Sequence, residues 1–168
     1  MLEPPREELL ASAFVDLADT LVQDFDVIGF LHSLAEHCVA LLDVAAAGVL
    51  LATPDGRLVD AAASDERTRQ LELASIEWDE GPCRDCYRTG VQVPDVPLAS
   101  AAARMRWPRF SPRAVETGFT SVVAAPLRLH DQVIGALNLF RDRSATPRCG
   151  SARRWPTPPP SGSCNSGR

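Results

Sequence analysis

The chain has 168 residues, 45% of them hydrophobic and 23% charged, with a formal net charge of −5. This length and apolar share fit one globular domain with a core of its own and exclude wholesale disorder. The acid excess argues against a nucleic-acid surface, and the longest apolar run, the nine residues Val44 to Ala52, is far short of a membrane span.

Five cysteines is an odd number, and the start MLEPPREELL has no apolar leader. Reduced thiols in a cytoplasmic setting are therefore expected. All 17 basic residues are arginine, as a GC-rich gene produces. Residues 148–168 hold four arginines and no acid, so the first 147 carry 13 arginines against 22 acids, a net of −9.

Residues 1–6 are expected to be disordered. Residues 7–23 read as a helix, because Leu10, Phe14, Leu17 and Leu21 recur at helical spacing and Glu7 and Glu8 suit its positive end. This seam packs on the domain's own sheet or on the same helix of a second copy, which makes a homodimer the expected assembly. A second helix starts from Asp26 as N-cap and runs to Leu42, with Val27, Leu31, Leu34, Cys38 and Leu41 as its stripe. The period then changes. Ala47–Ala52 and Leu58–Ala62 read as strands around the turn Thr53-Pro54-Asp55-Gly56. Asp65–Leu73 reads as a short helix capped by Ser64 or Asp65.

Pro82, Pro94 and Pro97 forbid one long helix over residues 76–98. A short helix at Arg84–Thr89 closing on Gly90 fits, followed by an edge strand at Gln92–Val96 in which Pro94 cannot donate to a ladder. Residues 99–117 predict a helix broken at Trp107-Pro108 and ending at Gly118. Ser121–Leu129 and Val133–Phe140 are strands joined by His130-Asp131-Gln132. Val123, Ala125, Leu127 and Leu129 share one face of the first, and Val133, Gly135, Leu137 and Leu139 one face of the second. Sequential strands usually pair, so the fold class is α+β, an antiparallel sheet flanked by helices.

Candidate chemistry is sparse. Cys83 and Cys86 form a C-x-x-C pair, which serves as a redox dithiol or as half of a zinc site. A second pair is missing, and Cys38, His37 and His32 join it only by an accident of folding. Gly81-Pro82-Cys83 at a helix start would lower the Cys83 pKa. The competing reading packs Cys83 under the loop and leaves Cys86 incidental. His32 and His37 point to different faces of their helix, and His130 sits in a turn. The chain has no H-E-x-x-H, no G-x-S-x-G and no Gly-rich phosphate loop, so no catalytic residue, metal or cofactor is expected. Arg104, Arg106, Arg109 and Arg113 interleave with Trp107 and Phe110. Such a pattern can bind single-stranded nucleic acid, but in an acidic domain it more simply solvates a face and pairs with neighbouring acids.

Three stretches carry a family resemblance: EGPCRDCYRTG at residues 80–90, Trp107-Pro108-Arg109-Phe110, and SVVAAPLRLHDQVIGALNLFRD at residues 121–142. Together they resemble the GAF domain of bacterial GAF–ANTAR proteins, intracellular signalling proteins common in actinobacteria, over about residues 10–143. The resemblance implies a GAF/PAS-like antiparallel sheet of five or six strands, a GAF domain at residues 7–143, and terminal helices that build a dimer. It implies a sensory role without catalysis, in which a small ligand, redox or protein signal passes to an ANTAR module that binds RNA hairpins and prevents transcription termination. The ligand site it implies, between the sheet and the loop-rich segment, maps onto Trp78, Cys83, Tyr87, Trp107 and Phe110; the competing reading is that these aromatics fill a second core. Neither the ligand nor the downstream targets are named by it, and the residue pattern of cyclic-nucleotide GAF domains is absent.

Such a domain should close with an amphipathic helix, yet residues 144–168 form a Pro/Arg/Ser-rich tail in which Pro156, Pro158, Pro159 and Pro160 forbid one. With GC-leaning codon choices, Trp155–Gly167 regrouped by one frame reads Leu-Ala-Asp-Ala-Ala-Thr-Ile-Gly-Ile-Leu-Gln-Gln-Arg, a small-and-apolar helical pattern with a basic end. A frameshift is the expected explanation, and with it the loss of a covering helix, of any ANTAR output and of direct RNA binding. The expectation is thus a non-enzymatic sensory domain. The alternatives are a thiol-redox protein using Cys83 and Cys86, and a domain that only dimerises.

Overall fold

A computed structural model describes residues 8–15 and 26–143. Residues 8–15 form helix α1. Then come α2 (Val27–Leu41), β1 (Ala46–Ala52), β2 (Leu58–Ala63), α3 (Glu66–Trp78), α4 (Pro82–Thr89), β3 (Val93–Pro97), α5 (Ala101–Arg106), α6 (Phe110–Glu116), β4 (Phe119–Leu129) and β5 (Gln132–Asp142). The five strands form one sheet in the order β2-β1-β5-β4-β3, with every neighbouring pair antiparallel. The strand expected at the edge is there: β3 pairs only with β4, and it carries Pro94 and Pro97.

Local chemistry sets the element ends. Asp26 caps α2 by accepting from the Ile28 amide at 3.1 Å. Both residues read as caps for α3 have work: Asp65 accepts from the Thr68 amide at 2.7 Å, while Ser64 accepts from Ala47 N at 2.9 Å and pins the β1–β2 hairpin. The helix runs beyond the expected Leu73 to Trp78, ending at Asp79 in the left-handed region (φ 55°). Pro82 opens α4 two residues before the expected start, because a first-turn proline gives up an amide that no helical acceptor needs. Gly90 ends α4 at φ 65°, as its position predicts. The β4–β5 turn is tighter than expected: Gln132 already belongs to β5, and His130 takes φ 55°.

The largest difference from the sequence reading lies in the sheet faces. That reading grouped the alternate apolar residues of the last hairpin on one face and said nothing of the other; both are buried. Leu137, Leu139 and Val123 join Val49 and Ala61 under α2, which lays Phe30, Leu34 and Cys38 against them. The opposite residues Val122, Ala124, Ala136 and Phe140 join Leu71, Trp107, Phe110 and Phe119 under α3–α6. The sheet is the middle layer of three, and each large side chain buried in it contributes about 1.5–3 kcal/mol. The apolar surface expected from a missing helix is not seen at these positions, since Val123, Leu137 and Leu139 are each under a tenth exposed.

Of the four expected dimer residues, Leu10 and Phe14 lie on α1, Phe14 with 70% of its surface exposed. Leu17 and Leu21 lie outside the described residues, as do residues 1–6 and the tail at 144–168.

Candidate functional site

Helix α3 buries a mixed face: Thr68, Leu71, Glu72 and Ser75. Thr68, Glu72 and Ser75 follow one another at spacings of four and three, so they stack on one line of the helix. That line lies over the centre of the sheet. Gly48 on β1 leaves the room for it, since a Cβ there would stand 2.6 Å from Glu72 Oε1. Asn138, the cross-strand partner of Gly48 on β5, donates from Nδ2 to Glu72 Oε1 at 2.8 Å.

The remaining polar atoms of this group are buried without a partner: Glu72 Oε2, Asn138 Oδ1 and Thr68 Oγ1, together with Asp60 Oδ1 on β2. Each such atom costs about 1–3 kcal/mol, and folded proteins hold few of them. Burial, reinforced by the Asp60 carboxylate and only partly offset by the Asn138 bond, pushes the Glu72 carboxyl up to about 7. Burial also pushes Asp60 up, with Arg69 and His32 pulling it back.

Cys83 and Cys86 are both fully buried free thiols. The expected lowering of Cys83 by the helix start is reversed. Burial pushes it well up, and the Glu72 and Cys86 charges add to that. Cys86 is raised by burial too. Neither resembles an activated thiol, which needs exposure and a positive surrounding.

The acids of the EGPCRDCYRTG stretch hold the outer layer together. Glu80 Oε1 accepts from the backbone amides of Arg109 (2.7 Å) and Phe110 (2.8 Å), capping α6 from a distant part of the chain. Asp85 Oδ2 accepts from Arg106 Nε (2.7 Å) and Trp107 Nε1 (3.0 Å), tying α4 to α5. Arg84 pairs with Asp79. The arginine run is occupied in the same way: Arg106 and Arg109 lie over the rings of Trp107 and Trp78, at 4.9 and 5.0 Å, and Arg113 pairs with Glu116 at 3.4 Å.

Of the five residues mapped from the resemblance, Cys83, Trp107 and Phe110 meet in one buried cluster, with Trp107 and Phe110 edge to face at 6.1 Å. Trp78 and Tyr87 are half-buried. Two clefts among the described residues lie elsewhere. One of about 540 Å³ lies between Val115, Phe119 and Asp142, and one of about 420 Å³ between His32, Asp60 and Arg69. Among the described residues there is no metal-binding cluster, and no helix is long and apolar enough to cross a membrane.

Sequence reasoning missed Glu72 and Asn138. The signal was present for Asn138, a polar residue that alternates in register with the apolar Ala136 and Phe140. It was also present in the Thr68–Glu72–Ser75 line, which runs beside the apolar Leu71.

A family profile described as "GAF domain" matches residues 26–150. No curated protein matches the chain. Among solved structures, the GAF domain of A. aeolicus nlh2 in an inactive state is 14% identical, with 82% of each chain covered and a TM-score of 0.53. The GAF domain of an Acinetobacter phosphoenolpyruvate-protein phosphotransferase is 11% identical, covering 84% of this chain and 79% of that one, at 0.55. The GAF region of a putative membrane protein from Geobacter sulfurreducens is 13% identical, covering 79% and 80%, at 0.51. At these identities the likeness is one of fold.

Proposed function

Because the chain belongs to the GAF domain family, we propose that it is a non-enzymatic sensory module that receives its signal in the layer between the sheet and α3–α6. The observation that carries this is the fully buried Thr68–Glu72–Asn138 group with its partnerless polar atoms at the centre of that layer. Costly buried polar groups with shifted acidities concentrate at functional sites. Cys83, Trp107 and Phe110 lie in this layer, with the half-buried Trp78 and Tyr87 on the helices beside it, and α4–α6, tied together through Glu80 and Asp85, form the cover that a small-molecule ligand displaces.

The finer reading follows the likeness of residues 80–90 and 121–142 to GAF–ANTAR proteins. The domain works in the cytoplasm as a homodimer through Leu10, Phe14, Leu17 and Leu21, its natural output is an ANTAR antiterminator, and residues 144–168 are read out of frame. The thiol-redox alternative finds little support in two buried thiols whose pKa values are raised.

Thermal unfolding of the purified chain against a broad metabolite collection tests the sensory reading, because a ligand that binds only the folded state raises Tm. A reproducible shift that disappears in Phe110→Ala supports it. A flat response across the collection, together with a monomer in sedimentation, refutes the ligand-sensing dimer. Sequencing the gene beyond codon 142 settles the frame.

A further inference from the structure

Two links join α3 to β5. At the buried end, Asn138 Nδ2 donates to Glu72 Oε1 at 2.8 Å. At the other end, Arg67 Nη2 lies 3.4 Å from Asp142 Oδ2 at the last residue of β5, and Arg67 Nη1 donates to Thr117 O at 3.3 Å. The Arg67 guanidinium lies 4.2 Å over the Phe119 ring, which stacks on Phe140 of β5 at 4.5 Å. Helix and strand are therefore coupled at two points by stiff elements.

The orphaned atoms at the first link are informative. Glu72 Oε2 and Asn138 Oδ1 belong to the same hydrogen-bonded pair of side chains, and both lack a donor. A carboxylic acid and a primary amide are complementary at both of their ends. The amide N–H faces one carboxyl oxygen, and an acid O–H on the other oxygen supplies what the amide oxygen lacks. A carboxylate has no hydrogen to offer and leaves both Glu72 Oε2 and Asn138 Oδ1 as acceptors without a donor in a dry core.

We propose that this domain senses protons: the neutral acid form of Glu72 clamps α3 to β5 through Asn138, and release of that proton to water loosens the clamp and, through Arg67, the end of β5 from which the chain continues. The charged surroundings favour the neutral form. From β2, the Asp60 carboxylate repels a charge on Glu72. The cations near it, Arg69 at 3.2 Å on α3 and His32 on α2, act on Asp60, and Glu66 adds a further negative charge to it. On α4 the Cys83 thiol feels the Glu72 charge, β1 brings Gly48 against it and β5 brings the neutral Asn138. Titration at about 7 lies where a modest change in cellular pH moves the population. That the loosening serves regulation rests on the sensory reading above. The titration itself needs no ligand.

The test is a carbon and nitrogen NMR titration of the whole chain between pH 4 and 8.5. The Glu72 carboxyl is expected to turn at about 7, an acidity roughly 300-fold weaker than that of an ordinary glutamate. The Asn138 side-chain amide and the Asp142 backbone amide should shift with the same midpoint. Glu72→Gln, which cannot ionise, should abolish that transition at Asp142. A Glu72 midpoint near 4.5, or an Asp142 amide that ignores the Glu72 transition, overturns the proposal. If the variant does not fold, the wild-type titration decides alone. A metabolite that raises Tm beside a Glu72 midpoint near 4.5 refutes the proton clamp and leaves the ligand sensor standing. A midpoint near 7 that reaches Asp142, with no metabolite shift, supports the clamp and removes the ligand.

Discussion

Replacing Glu72 with glutamine should make the domain more stable at alkaline pH and change little in acid. The side chain is fully buried, and its carboxyl turns at about 7 in the folded protein against an ordinary 4.5. Below about 4.5 the group is neutral in both states, and burial costs nothing in ionisation. Between 4.5 and 7 the unfolded chain releases the proton while the folded chain keeps it, so the folded state loses ground as pH rises. Above 7 the loss is complete. The rise from 4.5 to about 7 converts, at about 1.4 kcal/mol per pH unit, to about 3 kcal/mol. That is a large fraction of the roughly 5–15 kcal/mol by which domains are stable. Asp60 is also raised by burial and slopes the same way; it is present in both proteins, so only its repulsion with the Glu72 charge enters the comparison. Urea unfolding of wild type and Glu72→Gln at pH 5 and pH 8 measures the effect. The variant should gain on wild type by about 2–3 kcal/mol between the two pH values. An equal difference at both would mean that Glu72 ionises in the folded state as freely as in the unfolded chain, and would refute the reasoning.

Gly48→Ala should destabilise the domain by about 1–3 kcal/mol in the same assay, because its Cβ would stand 2.6 Å from Glu72 Oε1, and the loss should shrink when Glu72 is also shortened to alanine. Asp85→Ala removes the acceptor of the buried Trp107 indole and the partner of Arg106 and should cost about 1–3 kcal/mol, whereas Asp85→Asn, which keeps an acceptor oxygen, should cost less. Indole fluorescence during unfolding reports both. Cys83 and Cys86 should resist iodoacetamide at pH 7.5 in the folded protein and react on adding urea, as followed by mass spectrometry; rapid labelling in the native state would return the thiols to consideration as reactive groups.

The elements were legible because their signals are local. Asp26, Asp65 and Gly90 sit where the caps are, and the prolines of residues 82–97 confine α4 and β3. The five-stranded antiparallel sheet followed from neighbouring strands pairing and from the resemblance of the last hairpin. The second buried face was not legible, because the run from Val122 to Ala125 is apolar without alternation, and periodicity alone cannot assign a face to such a run. Ion pairing within the arginine run was anticipated as a kind of contact, but its partners Asp85 and Glu116 come from tertiary approach and helix phase. The Glu72–Asn138 contact spans 66 positions in the chain, and only the crossing of α3 over β1 and β5 brings it about.

The two margins of the sheet are chemically unequal. On β3, Pro94 and Pro97 withhold amide hydrogens that another strand would need, whereas β2 carries no proline. Strand addition at β2 would meet no proline, whereas at β3 it would meet a five-residue strand with two, so the β3 flank is the poorer template.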